Sequence, residues 1–316
     1  MEHQMCRKFF KILGLIALLG YTDPSFAQQI NAQKVLNHLE YLSKDELQGR
    51  ETLSEGSLMA RSYILENLSK LDLVEPLYHD FTQLFTFQNT RRKVTYEDAA
   101  NIIALIPGSE SKKVIVITAH YDHVGIGRKN ASGDSIYNGA DDNASGTSAL
   151  LALADYFSKN RPKHALIFAA LDAEEMGLQG GKALLEDFPY GLDQIVVNVN
   201  MDMVSRSDKN ELYASGTYHN PSLKPILERA SKGSNPTLVF GHDIPGTGRE
   251  DWTKSSDHGA FFDKKIPHIY FGVEDHEDYH KPSDEFENIQ PEFFTNAVNL
   301  ILKCILALDA ELLQGS

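Results

Sequence analysis

The sequence predicts one α/β domain: a central, mostly parallel sheet with helices on both faces. Three observations predict it. From residue 99 onward, strand-like and helix-like stretches alternate, as they do in β–α crossover units. Residues 113–119, 165–171, 195–200 and 268–273 are continuous apolar runs, as strands buried on both faces require. The 316 residues, 42% of them hydrophobic, supply a core large enough for such a domain.

The elements follow in order. Residues 1–27 read as a secretory signal peptide. Arg7, Lys8 and Lys11 form a positive head, residues 12–21 a short apolar run, and Ser25, Phe26 and Ala27 a cleavage site that leaves Gln28 first. A membrane span needs about 20 apolar residues, and Asp23 and Pro24 interrupt this run, so no stable membrane insertion is expected after signal removal. The head-group pattern looks bacterial, and the expected location is the periplasm or the medium. The rest, residues 28–316, is expected to form the domain. Residues 28–97 form an N-terminal helical and extended part packed on the core, and 98–316 the α/β core.

Helical apolar spacing marks residues 35–42 and 57–71, the latter through Leu58, Ala60, Ile64, Leu65, Leu68 and Leu71. Residues 81–94 read as extended. Strands are expected at 101–105, 113–119, 165–171, 195–200, 211–214 and 268–273, and helices at 145–157, 180–188, 222–231 and 291–313. In the last helix, Phe294, Val298, Ile301, Leu302, Ile305 and Leu308 mark a stripe that faces a core.

Charge and cysteines exclude several functions. Lys plus Arg is 30 against 44 Asp plus Glu, a net −14. Without residues 1–27 the balance is 27 against 42, or −15. Such a chain repels a phosphate backbone, so no nucleic-acid partner is expected. The two cysteines, Cys6 and Cys304, exclude a disulfide scaffold and a cysteine-based zinc module.

The chemistry lies just after the central strands. Residues 113–119 are followed by His120-Tyr121-Asp122-His123, and residues 165–171 by Asp172-Ala173-Glu174-Glu175. Residues 195–200 are followed by Met201-Asp202-Met203, and residues 268–273 by Glu274, Asp275, His276, Asp278 and His280. Between the first two lies Gly139-Ala140-Asp141-Asp142-Asn143-Ala144-Ser145-Gly146, a turn opening a helix. Ligand sites in open α/β sheets lie beyond the carboxyl ends of the strands, so five metal-capable segments converge there. Taken singly, each has an ordinary explanation. A histidine after a strand is usually solvated or satisfied in the core, and acids in a first helical turn suit the helix dipole or cap it. Together, Asp141, Asp142, Asp172, Glu174, Glu175 and Asp202 on one sheet edge repel one another strongly unless cations sit among them.

These stretches resemble those of the M28-type zinc aminopeptidases, the family of the bacterial leucyl aminopeptidases. The matching residues are Ala119-His120-Tyr121-Asp122-His123, the turn 139–146, Ala173-Glu174-Glu175-Met176-Gly177, Asn200-Met201-Asp202-Met203, Ser256-Asp257-His258 and Tyr279-His280-Lys281-Pro282-Ser283-Asp284. The upstream Leu42-Ser43-Lys44-Asp45-Glu46-Leu47-Gln48-Gly49-Arg50 is similar to that of periplasmic members. The resemblance implies the α/β zinc-exopeptidase fold and a cofactor of two Zn²⁺. Asp141 would bridge the ions. His120 and Asp202 would complete one site, and Glu175 and His280 the other. Two Zn²⁺ against Asp141, Asp202, Glu175 and a bridging hydroxide give a neutral site.

Glu174 would be the general base, and Asp122 would accept the remaining N–H of His120. Asp142 would stand behind Asp141 across a cis peptide bond. The substrates would be peptides, cut from the amino end. Some members carry an oxyanion-donating Tyr before Ser-Asp-His. Residues 249–255 hold none, with Trp252 and Thr253 there instead. His123, His258 and His276 are expected to be structural or to support the ligands from behind.

Two related readings remain. Glutaminyl cyclases of this fold use one zinc and fewer ligands. Carboxypeptidase-type relatives carry large inserted domains for which 316 residues leave no room.

Overall fold

The computed structural model describes residues 29–90 and 92–315; the signal-peptide reading of residues 1–27 lies outside them. The chain opens with helix α1 (Ala32–Leu42), capped by the Asn31 side chain, which accepts from the Lys34 N–H. Its Val35, His38, Leu39 and Leu42 are buried, one face of a helix at the expected spacing. Helix α2 (Glu55–Ser69) is capped in the same way by Ser54.

The strands are β1 (Glu75–Pro76), β2 (Thr82–Asn89), β3 (Val94–Ile106), β4 (Val114–His120), β5 (Gly125–Ile126), β6 (Ile136–Tyr137), β7 (Ala165–Leu171), β8 (Ile195–Met201), β9 (Glu211–Ser215), β10 (Thr237–Phe240) and β11 (His268–Gly272). The remaining helices are α3 (Gly146–Lys159), α4 (Gln179–Glu186), α5 (Lys224–Ala230), α6 (His258–Asp263) and α7 (Pro291–Glu311).

The main sheet runs β1-β3-β7-β4-β8-β11-β9-β10, with β2 also on β3, and β5 and β6 form a separate ribbon. Its centre is parallel: β7, β4, β8 and β11 pair in one direction. The antiparallel pairs lie toward the flanks, where β3 meets β7 and β11 meets β9. The sequence expectation of a mostly parallel sheet therefore holds at the centre, where the apolar runs are.

The two faces of β4 enter two cores. Ile115, Ile117 and Ala119 pack with residues of α1, α2, α3, α5 and α7, while Val114 and Val116 pack with Leu184 and Leu185 of α4 and Phe261 of α6. This alternation is the strand period of two, and it places helices on both faces. Helix α7 is long and apolar enough to cross a membrane, but Phe294, Val298, Ile301, Ile305 and Leu308 are buried in the first core. Strand β10 and helix α6 are additions that apolar periodicity does not reveal. The first has four residues and the second six, too short for a pattern to accumulate.

Candidate metal centre

The parallel strands β4, β7, β8 and β11 all end at one edge of the sheet. His120 is the last residue of β4, and Asp202 follows β8 directly. Glu174 and Glu175 lie in the turn after β7, and His280 in the loop after β11. The turn Ala140–Ser145 leads into α3 and carries Asp141 and Asp142.

Two groups of donor atoms converge here: His120, Asp142 and Asp202 in one, and His123, Asp142, Glu175 and His280 in the other. Asp142 belongs to both. Its Oδ1 lies 3.5 Å from His120 Nε2, and its Oδ2 lies 3.0 Å from His280 Nε2. His120 Nε2 is 3.4 Å from Asp202 Oδ2, and His280 Nε2 is 3.3 Å from Glu175 Oε1.

Several atoms of these groups are buried and make no well-aligned hydrogen bond, although His123 Nδ1 and Glu175 Oε1 approach to 2.8 Å: His120 Nε2, both ring nitrogens of His123, Glu175 Oε1 and Asp202 Oδ1. Orphaned buried polar atoms are costly. Here they share one small volume and are all metal-ligand types, imidazole nitrogens and carboxylate oxygens. The residues therefore fit a pair of cations with a shared carboxylate.

The sequence reasoning puts Asp141 between the ions and Asp142 behind it, and the geometry reverses the pair. The Asp141 Oδ1 accepts from the Ser205 N–H and hydroxyl, both at 2.7 Å, and its Oδ2 lies 3.1 Å from His276 Nε2. Its carboxylate is thus fully engaged away from the donor groups. The two side chains diverge because the turn leaves helical geometry at Asp142 (φ −105°, ψ 95°) and Asn143. The cis peptide lies between Asp142 and Asn143, one residue later than expected.

Asp284 fixes this turn. Its Oδ1 accepts from the Asp141 N–H at 2.9 Å and its Oδ2 from the Asp142 N–H at 3.0 Å. Sequence reasoning gives Asp284 no role, because it lies about 140 residues away and only the fold brings it to the turn.

Asp122 also departs from expectation. His120 Nδ1 lies 3.1 Å from the Asp122 main-chain carbonyl and 3.6 Å from its carboxylate. The carboxylate instead accepts the backbone N–H of Glu174 at 3.0 Å and of Glu175 at 3.3 Å. It thus holds the acidic turn as well as standing beside the imidazole.

His123 stands among the donor atoms of the second group, where it also fits the supporting role expected of it. Its Nδ1 is 2.8 Å from Glu175 Oε1. The available signal was its place two residues beyond Tyr121 on the same strand end. His276 supports Asp141, and His258 Nε2 lies 2.7 Å from the Trp252 carbonyl, so both fall outside the donor groups.

Arg50 is fully buried behind the site. Its guanidinium donates to the carbonyls of Leu42 (2.5 Å), Asn138 (2.6 Å), Tyr121 (2.8 Å) and Gly139 (3.0 Å). One side chain thus ties α1 to the segments carrying His120 and Asp142. Burial lowers its pKa to about 10, against the opposing pull of Asp142, Asp284, Asp122 and Glu175. Gly49 beside it has φ +67°, and a Cβ there would stand 2.4 Å from the Tyr137 carbonyl oxygen, so the approach requires glycine.

The electrostatics separate the paired glutamates. Burial raises the Glu174 pKa well above the ordinary range, with Asp257, Glu175 and Asp202 adding to it and His120 opposing. For Glu175 burial acts upward too, but His123 and His280 outweigh it and hold the carboxyl well below its usual value. Burial lowers the His280 pKa, yet Asp142 and Glu175 raise it to about 11. The surroundings thus drive two adjacent carboxyls in opposite directions.

A cavity of about 380 Å³ opens over the site. Asp142, Glu174, Glu175 and Asp202 form its floor, and Trp252 and Arg249 stand among the residues around it. Tyr270 and Tyr279 line it from β11 and the loop beyond.

The comparisons agree with this architecture. Residues 101–305 match the model of peptidase family M28. Aminopeptidase YwaD of Bacillus subtilis is 28% identical over 227 residues, covering 67% of this chain and 45% of that protein. The chain spans about a third to a half of the length of the curated relatives it matches. A leucine aminopeptidase precursor from Bacteroides thetaiotaomicron shares the fold with TM-score 0.70 at 18% identity, over 88% of this chain and 97% of that one. The glutaminyl cyclase of Porphyromonas gingivalis does so with TM-score 0.72 at 15% identity, over 88% and 99%. The fold is thus shared by peptidases and cyclases. With its family match across the whole catalytic region, the chain belongs to peptidase family M28, a family of zinc metallopeptidases.

Proposed function

We propose that this protein is a two-zinc aminopeptidase that removes N-terminal residues from peptides. The observation that carries the reading is Asp142, whose two oxygens face two separate donor groups. A carboxylate shared between two donor groups favours two ions over the single ion of a cyclase. His120, Asp142 and Asp202 would hold one Zn²⁺, and Asp142, Glu175 and His280 the other, with His123 orienting Glu175. The two ions would polarise the scissile carbonyl and acidify the attacking water. Glu174, with its pKa raised by burial, takes the water proton and passes it to the departing amine. The free α-amine of the substrate pairs with floor carboxylates, which sets the direction of attack. The signal-like residues 1–27 support action in the periplasm or the medium.

A panel of aminoacyl-fluorophores and dipeptides tests this, each offered with a free and an acetylated amine. Free-amine substrates should be cleaved and acetylated ones resist. Cleavage of acetylated peptides from their carboxyl end would replace this reading with a carboxypeptidase. Cyclisation of N-terminal glutamine without hydrolysis would replace it with a cyclase.

A further inference from the structure

We infer that Arg249 binds a carboxylate of the peptide substrate and so directs the enzyme toward short peptides with a free carboxyl end. The inference rests on the aminopeptidase reading above. Arg249 lies in the short turn Gly248–Glu250 at the cavity. Among the described residues lining that cavity it is the one Lys or Arg, set against Asp142, Glu174, Glu175, Asp202, Asp251 and Asp275.

Its neighbours have partners. Arg206 pairs with Asp278, Lys209 with Glu274 at 2.6 Å and Glu250 with His242 at 3.2 Å. The Asp251 carboxylate is taken up by Thr253 and the Gly246 N–H. The Arg249 guanidinium enters no ion pair or hydrogen bond among the described residues.

An unpaired guanidinium offers a planar fork of donors that matches a carboxylate. The floor takes the amino end of the substrate, so the group left for Arg249 lies farther along the peptide. The cavity, at about 380 Å³, is near the small end of ligand sites, which suits a peptide of two or three residues. In such a peptide the C-terminal carboxylate is always present. An acidic side chain after the scissile bond would offer the same chemistry.

The experiment compares kcat/KM for Leu-Ala, Leu-Ala-amide, Leu-Glu-amide and Leu-Gln-amide in the wild type and in Arg249→Gln. The expected result is that Leu-Ala exceeds Leu-Ala-amide on the order of 10-fold, through KM, and that the ratio falls toward one in Arg249→Gln. A gap between Leu-Glu-amide and Leu-Gln-amide that Arg249→Gln removes would identify the side chain as the source of the carboxylate. Equal rates within both pairs, or ratios that Arg249→Gln leaves intact, overturn the inference. Calorimetry of the same peptides on zinc-loaded Glu174→Gln protein reads the carboxylate preference without turnover. Failure of the wild type to cleave any of them, or Leu-4-nitroanilide, would count against the aminopeptidase reading alone.

Discussion

The floor of the cavity is delivered by strand ends and their first turns, and its wall by the loop between β10 and α6. On the floor, buried hydrogen bonds fix the turns that carry Asp142, Glu174 and Glu175. Asp284 grips the turn of Asp142, Asp122 grips the turn of Glu174 and Glu175, and Arg50 ties the His120 and Asp142 segments to α1. The wall is held by ring stacking. Trp252 lies on His242 with centroids 3.7 Å apart and planes 7° from parallel, and His258 lies on Tyr270 at 4.6 Å. The contrast suggests a division of labour. On the proposed function the floor would set the chemistry, and the wall which substrate fits.

The largest expected effect is on the floor. Removing metal should abolish activity and lower the melting temperature, because Asp142, Glu175 and Asp202 are then crowded without cations. A melting temperature unmoved by chelation would show that the floor does not depend on ions. Next comes Glu174→Gln, which keeps shape and removes the proton acceptor. It should cut kcat about 10²–10⁴-fold with zinc content intact. Loss of zinc in this variant would make Glu174 a ligand and blur the distinction from Glu175.

Trp252→Ala probes the wall. It should raise KM for large apolar N-terminal residues roughly tenfold while sparing zinc content. A fall in kcat at unchanged KM would show that the wall shapes the chemistry as well.

The remaining effect concerns pH and reads stability rather than turnover. Burial lowers the His258 pKa to about 3, with His268 adding to the shift and the Trp252 carbonyl opposing it. The unfolded chain therefore binds the extra proton between the unfolded value of about 6.5 and the folded one, and stability falls as pH drops through that window. Between pH 7.5 and pH 5 the loss is about 2 kcal/mol, or a few degrees of melting temperature. In His258→Gln, compared with wild type after chelation of both, that share of the pH dependence should vanish. An identical pH slope in the two proteins would remove His258 from the account of the wall.

The same division governs what the sequence revealed. The parallel strands were legible because burial on both faces leaves continuous apolar runs, and the chemistry follows them at their carboxyl ends. Residues 165–171 were read with the bounds that β7 has. The choice between Asp141 and Asp142 was not legible. Adjacent identical side chains differ only in backbone torsion, and the partners that sort them, Ser205, His276 and Asp284, arrive from distant segments. His123 reads from the sequence as a supporting histidine, and only the fold brings its Nδ1 to 2.8 Å from Glu175 Oε1. The wall left no periodic trace. Trp252 stands in a loop beside its stacking partner His242, and further rings reach it from β9 and β11 that only the fold assembles.

The central claim is that one carboxylate, Asp142, serves both donor groups. Zinc content per chain in wild type, Asp141→Asn and Asp142→Asn, measured side by side after equilibration at limiting free zinc, tests it most directly. The account predicts two zinc ions in the wild type and depletion of both in Asp142→Asn. In Asp141→Asn, whose carboxylate faces Ser205 and His276, occupancy should be largely retained. Full occupancy in Asp142→Asn together with depletion in Asp141→Asn would contradict the account.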